Sequence, residues 1–202
     1  MEMQRRRLPS SVRIGQILDA ALLEFSASGY AGARMDAIAQ RAGLSKGGVY
    51  AHFSSKEEMF EALLVRHLHP APLDVDALLD GAATRQELAE RIVSHLYASL
   101  ARPDIACMLR LLLAESGRVP HLAARWRRAA ADAQQRDVSR LIEGARRRGL
   151  CGNGVVAAHP WLLLSPLVHA LVMTMLGEPE RVNLPARQRA HVALVSEMLS
   201  AD

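Results

Sequence analysis

"GLSKGGVYAHF", Gly43 to Phe53, is the stretch on which the reading of this chain turns. Two adjacent glycines and one of only two lysines, Lys46, interrupt a sequence otherwise rich in Ala, Leu and Arg. Those neighbours favour helix, whereas each glycine costs roughly 1 kcal/mol against Ala inside one. Ala39, Gly43 and Val49 lie four and six residues apart. That spacing suits a helix-turn-helix. A small residue lets two helices cross closely, a glycine takes positive φ in the turn, and an apolar residue on the second helix packs back on the first. Ile38, Ala42 and Leu44 complete the buried side. Ser45 caps the second helix, the one such geometry places in a DNA major groove.

Outward from this stretch, nearly every segment reads at helical period and none alternates as a strand does. Ser10 or Ser11 is expected to cap a first helix, with Ile14, Ile17, Leu18, Ala21, Leu22 and Phe25 on one face and Gly29 at its end. "RMDAIAQRA" is a short second helix. "SSKEEMFEALLVRHL" is a fourth, where Ser55 and Glu58 have capping-box spacing. Pro70 and Pro72 then mark the best domain boundary. Beyond it, Thr84 and Glu87 open a helix running to about Ala101, and Pro103 opens another. Pro120 starts a long one, ending in "RRRG", where cations meet the negative end of the dipole and Gly149 takes the left-handed position. The apolar stretch Val155–Leu176 is expected to kink at its prolines, and "PARQRAHVALVSEML" closes the chain. The fold class is therefore all-α. It comprises an N-terminal three-helix DNA-binding domain and a larger C-terminal helical bundle for ligand binding and dimerisation. The expected divisions are a basic arm at 1–9, the helix-turn-helix domain with a linking helix at 10–69, and the effector and dimerisation domain at 70–202.

Composition agrees. Of 202 residues half are hydrophobic and 23% charged, as in a folded globular protein. Cys107 and Cys151 do not form a CxxC pair, and free thiols in a reducing cytoplasm are expected. "MEMQRRRLPSS" lacks the apolar core of a signal peptide. Val155–Leu176 is long enough to span a bilayer, but His159, His169, Pro160 and Pro166 fit a helix buried in a protein interface better. Net charge is +4. Before Glu57, eight basic residues (Arg5, Arg6, Arg7, Arg13, Arg34, Arg41, Lys46, Lys56) face four acidic ones (Glu2, Asp19, Glu24, Asp36), so 8 − 4 = +4. The N-terminal part thus carries an excess equal to the whole chain's, which permits a polyanionic partner. Lys46, Tyr50, His52 and Lys56 cluster on and just after the second helix of the motif, and all can donate to phosphate oxygens.

With those residues in place, the stretch from Gly29 to Leu64 resembles the DNA-binding domain of TetR-type transcriptional regulators. "GY", "IAQRAGLSKG", "VYAHF" and "SKEEMF" carry the likeness. "RLLLAESGRVPHLAARWRR" and the later "RRRGL" resemble the effector domain of one branch. The resemblance implies a homodimer on a near-palindromic double-stranded DNA operator, usually a repressor released by a small molecule. It implies that Tyr50, Lys56 and His52 contact phosphates, that Lys46 lies near base edges or phosphate at the helix start, and that Gly47 lets the backbone approach DNA. Two departures stand out. Ala33 replaces the family's usual Thr, whose role passes to Arg34 unless Arg34 is only a solvated charge. Gly48 replaces a side chain, so "SKGGVYAHF" is expected to fray when free and to order on the operator. Arg5 to Arg7 are either a DNA-tracking arm or a solvated tail.

In the C-terminal part, Cys107, Met108, Leu112, Trp126, Trp161, His169 and Met173 lie on helices that would line the family's ligand cavity. They are either that lining or plain core; as a set they fit a largely apolar effector of unknown identity. The last two helices are expected to form the homodimer interface, since their apolar faces exceed what one copy hides. His67 and His69 point to different helix faces and are poor joint metal ligands. No metal, cofactor or membrane partner is expected, and no catalytic motif points to an enzyme. The rival reading is an all-helical small-molecule-binding or enzymatic protein whose N-terminal bundle does not read DNA.

Overall fold

The computed structural model describes residues 9–69, 72–98, 102–177 and 183–200. Arg5 to Arg7, Pro70 and the expected helix end near Ala101 lie outside them. Every regular element among the described residues is helical, and the chain forms two compact units. One takes residues up to Leu68 together with Cys107–Ala123; the other takes His69–Ala106 and the chain from Ala124 onward.

The first unit is built on α1 (Ser10–Gly32), α2 (Met35–Arg41), α3 (Lys46–Tyr50) and α4 (Lys56–Leu68). α1 begins one step before either expected serine cap. Pro9 is the capping residue, and its carbonyl accepts the Arg13 N–H at 3.1 Å, so Ser10 is already inside the helix. Gly29, at φ 66°, breaks α1 as its sequence position predicts, and a last turn continues to Gly32. Phe25, Tyr30 and Phe60 form the aromatic centre, with Phe25 edge-on to Phe60 at 5.4 Å and Tyr30 edge-on to Phe60 at 5.1 Å. Ile38, Ala39, Val49, Met59 and Leu63 are buried in this unit. Three long aromatics let a short three-helix head bury enough apolar surface to hold its shape.

The second unit holds α5 (Val75–Asp80), α6 (Arg85–Ala98), α9 (Asp132–Arg147), α10 (Val155–Ala158), α11 (Ser165–Leu176) and α12 (Leu184–Ser200). α7 (Pro103–Glu115) and α8 (Pro120–Trp126) contribute residues to both units. Leu88, Ile92, Val93 and Leu96 of α6 share a buried core with Val138, Leu141, Ile142 and Ala145 of α9 and with Val195 and Leu199 of α12. The Thr84–Glu87 capping box forms in both directions: the Glu87 N–H donates to Thr84 Oγ1 at 3.1 Å and the Thr84 N–H to Glu87 Oε2 at 3.2 Å. Gly149, at φ 71°, ends α9 in a Schellman turn, Leu150 N–H donating to the Ala145 carbonyl and Gly149 N–H to that of Arg146.

Two expected helices differ in form. The long helix after Pro120 contains a π turn at Arg127–Ala131, where Arg127 chelates both Asp132 carboxylate oxygens at 3.0 Å. The Val155–Leu176 stretch is not one kinked helix. His159 leaves helical geometry (φ −132°, ψ 67°) ahead of Pro160, as residues before proline do, and a 3-10 segment Pro160–Leu164 separates α10 from α11. No helix among the described residues is long and apolar enough to cross a membrane.

Candidate nucleic-acid interface

The turn between α2 and α3 is made by the backbone. Ala42 remains helical and Gly43 swings to φ 65°. Leu44 N–H then donates to the Ala39 carbonyl at 2.9 Å, and Gly43 N–H to that of Gln40 at 3.1 Å. This is a second Schellman turn, and it needs a residue without a Cβ penalty at Gly43. Ser45 caps α3: its Oγ accepts the Gly48 N–H at 3.1 Å. Val49 is fully buried, Ala39 nearly so, and α2 packs on α3. α3 therefore emerges at a fixed angle, its polar side free.

On that side stand Lys46 and Tyr50, both exposed, with the Lys46 ammonium 6.0 Å from the Tyr50 ring centroid. Lys46 also pairs with Asp36 in the first turn of α2, at 3.0 Å. The hydrogen bond to Asp36, with its charge, holds the Lys46 pKa above the ordinary value, so the group is a cation at any neutral pH. Both partners are largely exposed, so the pair is worth little. Arg34 is exposed close enough for its charge to oppose that of Lys46. It occupies the capping position of α2 without a capping hydrogen bond from its side chain. Ala33 beside it is buried. Gly47 is open: a Cβ there would meet nothing within 4 Å. Gly48 is closer to its surroundings, a Cβ being 3.3 Å from Ser45 Oγ and 3.6 Å from Leu44 Cβ. His52 follows α3 and is half-buried.

Lys56 is placed differently from the others. Its Nζ donates to the carbonyls of Ala31 and Ala33, each at 3.1 Å, and lies 4.7 Å from the centroid of the Tyr30 ring. Two of its three donors thus tie the start of α4 to the link between α1 and α2. The capping box of α4 is also shifted by one residue. Glu58 N–H donates to Ser55 Oγ as expected, but the Glu58 carboxylate receives the N–H and Oγ–H of Ser54, both at 2.7 Å. Sequence reading did not single out Asp36, Tyr30 as a seat for Lys56, or Glu115. The buried Glu115 carboxylate accepts the Tyr30 N–H at 3.2 Å. An acid in a long helix gives no local sign of a partner 85 residues away.

Residues 17–63 match the bacterial regulatory proteins of the tetR family, and residues 87–199, more than half of the chain, match the C-terminal domain of AefR-like transcriptional repressors. The chain belongs to the TetR family. It is 53% identical over 62 residues to the transcriptional activator FasR of Mycolicibacterium smegmatis, a match covering 31% of this chain and 28% of FasR. The structure of a TetR-family regulator from Mesorhizobium loti superposes with a TM-score of 0.75 at 25% identity, covering 96% of this chain and 98% of that one. FadR from Bacillus subtilis, solved with stearoyl-CoA, has the same fold, with a TM-score of 0.66 at 18% identity, over 92% of this chain and 97% of its own. The chain spans less than two thirds of the length of each of the curated relatives FasR, SrpR and UidR.

The residues expected to line a ligand cavity fall in both units. Met108 and Leu112 are buried in the first unit, where Cys107 Sγ lies 3.1 Å from Ser26 Oγ. Trp126, Trp161, His169 and Met173 belong to the second. Trp161 and Met173 are exposed, and His169 is an exposed partner of Arg187 at 3.1 Å. Trp161 lies in the 3-10 segment Pro160–Leu164, ahead of the helix that carries His169 and Met173, in which Ala170 is buried. Among the described residues no three His, Cys, Asp or Glu side chains gather as a metal site.

Proposed function

We propose that this TetR-family member is a ligand-responsive repressor, binding a near-palindromic operator as a homodimer in the cytoplasm and leaving it when a small molecule binds. One observation carries the reading: α3 is capped by Ser45, anchored by Val49, and offers Lys46, Tyr50 and the bare backbone of Gly47 on one open side. A short helix so held, with cations at its start, fits a groove lined by phosphates. Arg34, Ser45, Lys46, Gly47, Gly48, Tyr50, His52 and Lys56 are the proposed DNA-facing set, with Lys56 serving the fold as well. Repression rather than activation is supported by the AefR-like C-terminal match, although FasR is an activator.

The homodimer is proposed through α11 and α12, whose Val168, Met173, Leu176 and Leu194 are exposed. Two heads on one two-fold axis would reach half-sites about 34–36 Å apart or a multiple of that. Ligand binding would shift the population between two separations of the heads, through residues 57–69.

The test is retardation of DNA from upstream of the protein's own gene, measured against salt. With about six phosphates neutralised by the dimer, the log–log slope should be near −5. Binding no tighter than to unrelated DNA, together with turnover or tight binding of a small molecule, would favour the non-DNA reading instead.

A further inference from the structure

The second unit contains a cavity of about 200 Å³ that none of the expected ligand residues lines. Its polar groups are His69, His95, Gln134 and Asp137. Leu73 and Leu96 give it apolar surface, and Ala129 and Ala133 line it as well. The alanines leave it unfilled, since longer side chains at those positions would project into it. A second, independent feature lies at the same place. The π turn Arg127–Ala131 puts Ala129 at the lining, and the Arg127–Asp132 chelate secures the extra residue. Such bulges cost helix regularity and recur at functional sites.

The chemistry of the lining limits what fits. The volume is below the 300–1,000 Å³ range usual for drug-sized ligands and equals about seven water volumes. A long acyl chain would not fit wholly within it. The two imidazoles and the carboxylate do not gather as metal ligands. Among the described lining residues Asp137 is the only formal charge, with no Lys or Arg beside it there. Arg140 pairs with it only loosely, a mostly exposed guanidinium 3.6 Å away, a distance too long for a strong ion pair. A lining with one net negative charge favours a cation, and half-burial strengthens that preference over a surface carboxylate's.

We propose that this cavity, lined by His69, Pro72 and Leu73, by α6, by Ala129 of the π turn and by the first turns of α9, is the effector site, and that it takes a compact organic amine. The ammonium would meet Asp137, with Gln134, His69 and His95 accepting its remaining hydrogens or a hydroxyl. A ring or short branched carbon skeleton would lie on Leu73 and Leu96. The assignment rests on the ligand-responsive reading above, and it names other residues than those expected from sequence.

The experiment is calorimetric titration of the full-length protein with 2-phenylethylamine, its acidic counterpart 3-phenylpropionate, and stearate. Two variants accompany the wild type: Asp137→Asn, nearly isosteric, and Ala133→Leu, which fills the space. Thermal melts confirm that each is folded. Saturable binding of the amine is expected, at least tenfold weaker in Asp137→Asn, and at least tenfold tighter than that of 3-phenylpropionate. Ala133→Leu should lose binding; if it does not fold, Asp137→Asn and the charge pair of probes decide alone. The proposal is overturned by absent saturable binding of the amine, by undiminished binding to Asp137→Asn, or by equal binding of the acid or stearate. Operator retardation with and without the amine separates the two ideas. Asp137-dependent binding with unchanged operator affinity keeps the site and removes the ligand-responsive reading.

Discussion

The carboxylate of Glu115 accepts the backbone N–H of Tyr30 at 3.2 Å, across 85 residues of chain. On the other side of the same short link, the Lys56 ammonium holds the carbonyls of Ala31 and Ala33. An anion thus takes a donor and a cation takes two acceptors of the backbone between α1 and α2, where Gly29 at φ 66° has broken the helical ladder. Hydrogen bonds to charged groups contribute about 1.5–3 kcal/mol each, and leaving a buried donor unpaired costs about 1–3 kcal/mol.

This clamp predicts that Glu115→Ala and Lys56→Ala both lower stability by about 1–3 kcal/mol, read as a fall in Tm. Their effects on DNA should differ. Lys56 has one donor remaining for a phosphate, so Lys56→Ala should make the salt slope shallower by about 2 for the dimer. Glu115→Ala should weaken operator binding with the slope unchanged. A Lys56→Ala slope equal to wild type would leave Lys56 as a clamp alone.

Gly47 and Gly48 should respond differently to alanine. Nothing lies within 4 Å of a Cβ at Gly47, so Gly47→Ala should stabilise the free head by about 0.5–1 kcal/mol. If the protein backbone meets DNA there, the same change should weaken operator binding at least tenfold. A stabilised variant with wild-type affinity would remove Gly47 from the interface. Gly48→Ala places a methyl 3.3 Å from the oxygen that caps α3, so any gain in helix propensity is offset by displacement of Ser45. Amide exchange across Lys46–Ala51 reads both effects.

The parts legible in sequence are those set by local chemistry. Gly43, Ser45 and Val49 each do what their residue type and spacing demand, within a few residues of chain. Gly149 and the Thr84–Glu87 box are equally local. The proposed ligand site is not legible in sequence, because its lining comes from His69, Pro72 and Leu73, from α6, from Ala129 of the π turn and from α9, and alanines give no hydrophobic signal of a space. In sequence His69 has only its neighbour His67 for company; in the fold it lines the same cavity as His95 and Asp137. Lys56 shows a third limit. Its type and position fit a phosphate contact, while its surroundings add a structural task that only tertiary contacts disclose.

α11 and α12 expose Val168, Val172, Met173, Leu176 and Leu194. Because these side chains are exposed in the protomer, charging them should leave its fold intact. Val172→Glu combined with Leu194→Glu should give a folded monomer by sedimentation, with unchanged helical content. Operator affinity should fall at least a hundredfold, since one head loses the second half-site. A variant that still sediments as a dimer would place the interface elsewhere.

His191 gives a pH dependence whose sign follows from its burial. It is 2% exposed, against Tyr97 at a ring separation of 5.6 Å, and Nδ1 has no partner. Its Nε2 lies 3.0 Å from the Leu163 carbonyl, which only accepts, so Nε2 carries the proton of the neutral ring. Burial pushes the pKa below the usual 6.5, the hydrogen bond to Leu163 opposing this in part. In the unfolded chain the imidazole titrates near 6.5. As pH falls below that value, the unfolded state binds a proton that the folded state resists, and stability drops until the folded pKa is passed. Above pH 6.5 this contribution is constant. The slope in that window is at most about 1.4 kcal/mol per pH unit, the value for one proton. His191→Gln should cost stability at pH 8 through altered packing, yet should remove this part of the slope between pH 6.5 and 5. Melts of both proteins across that range decide it: parallel curves would mean that another group carries the acid sensitivity.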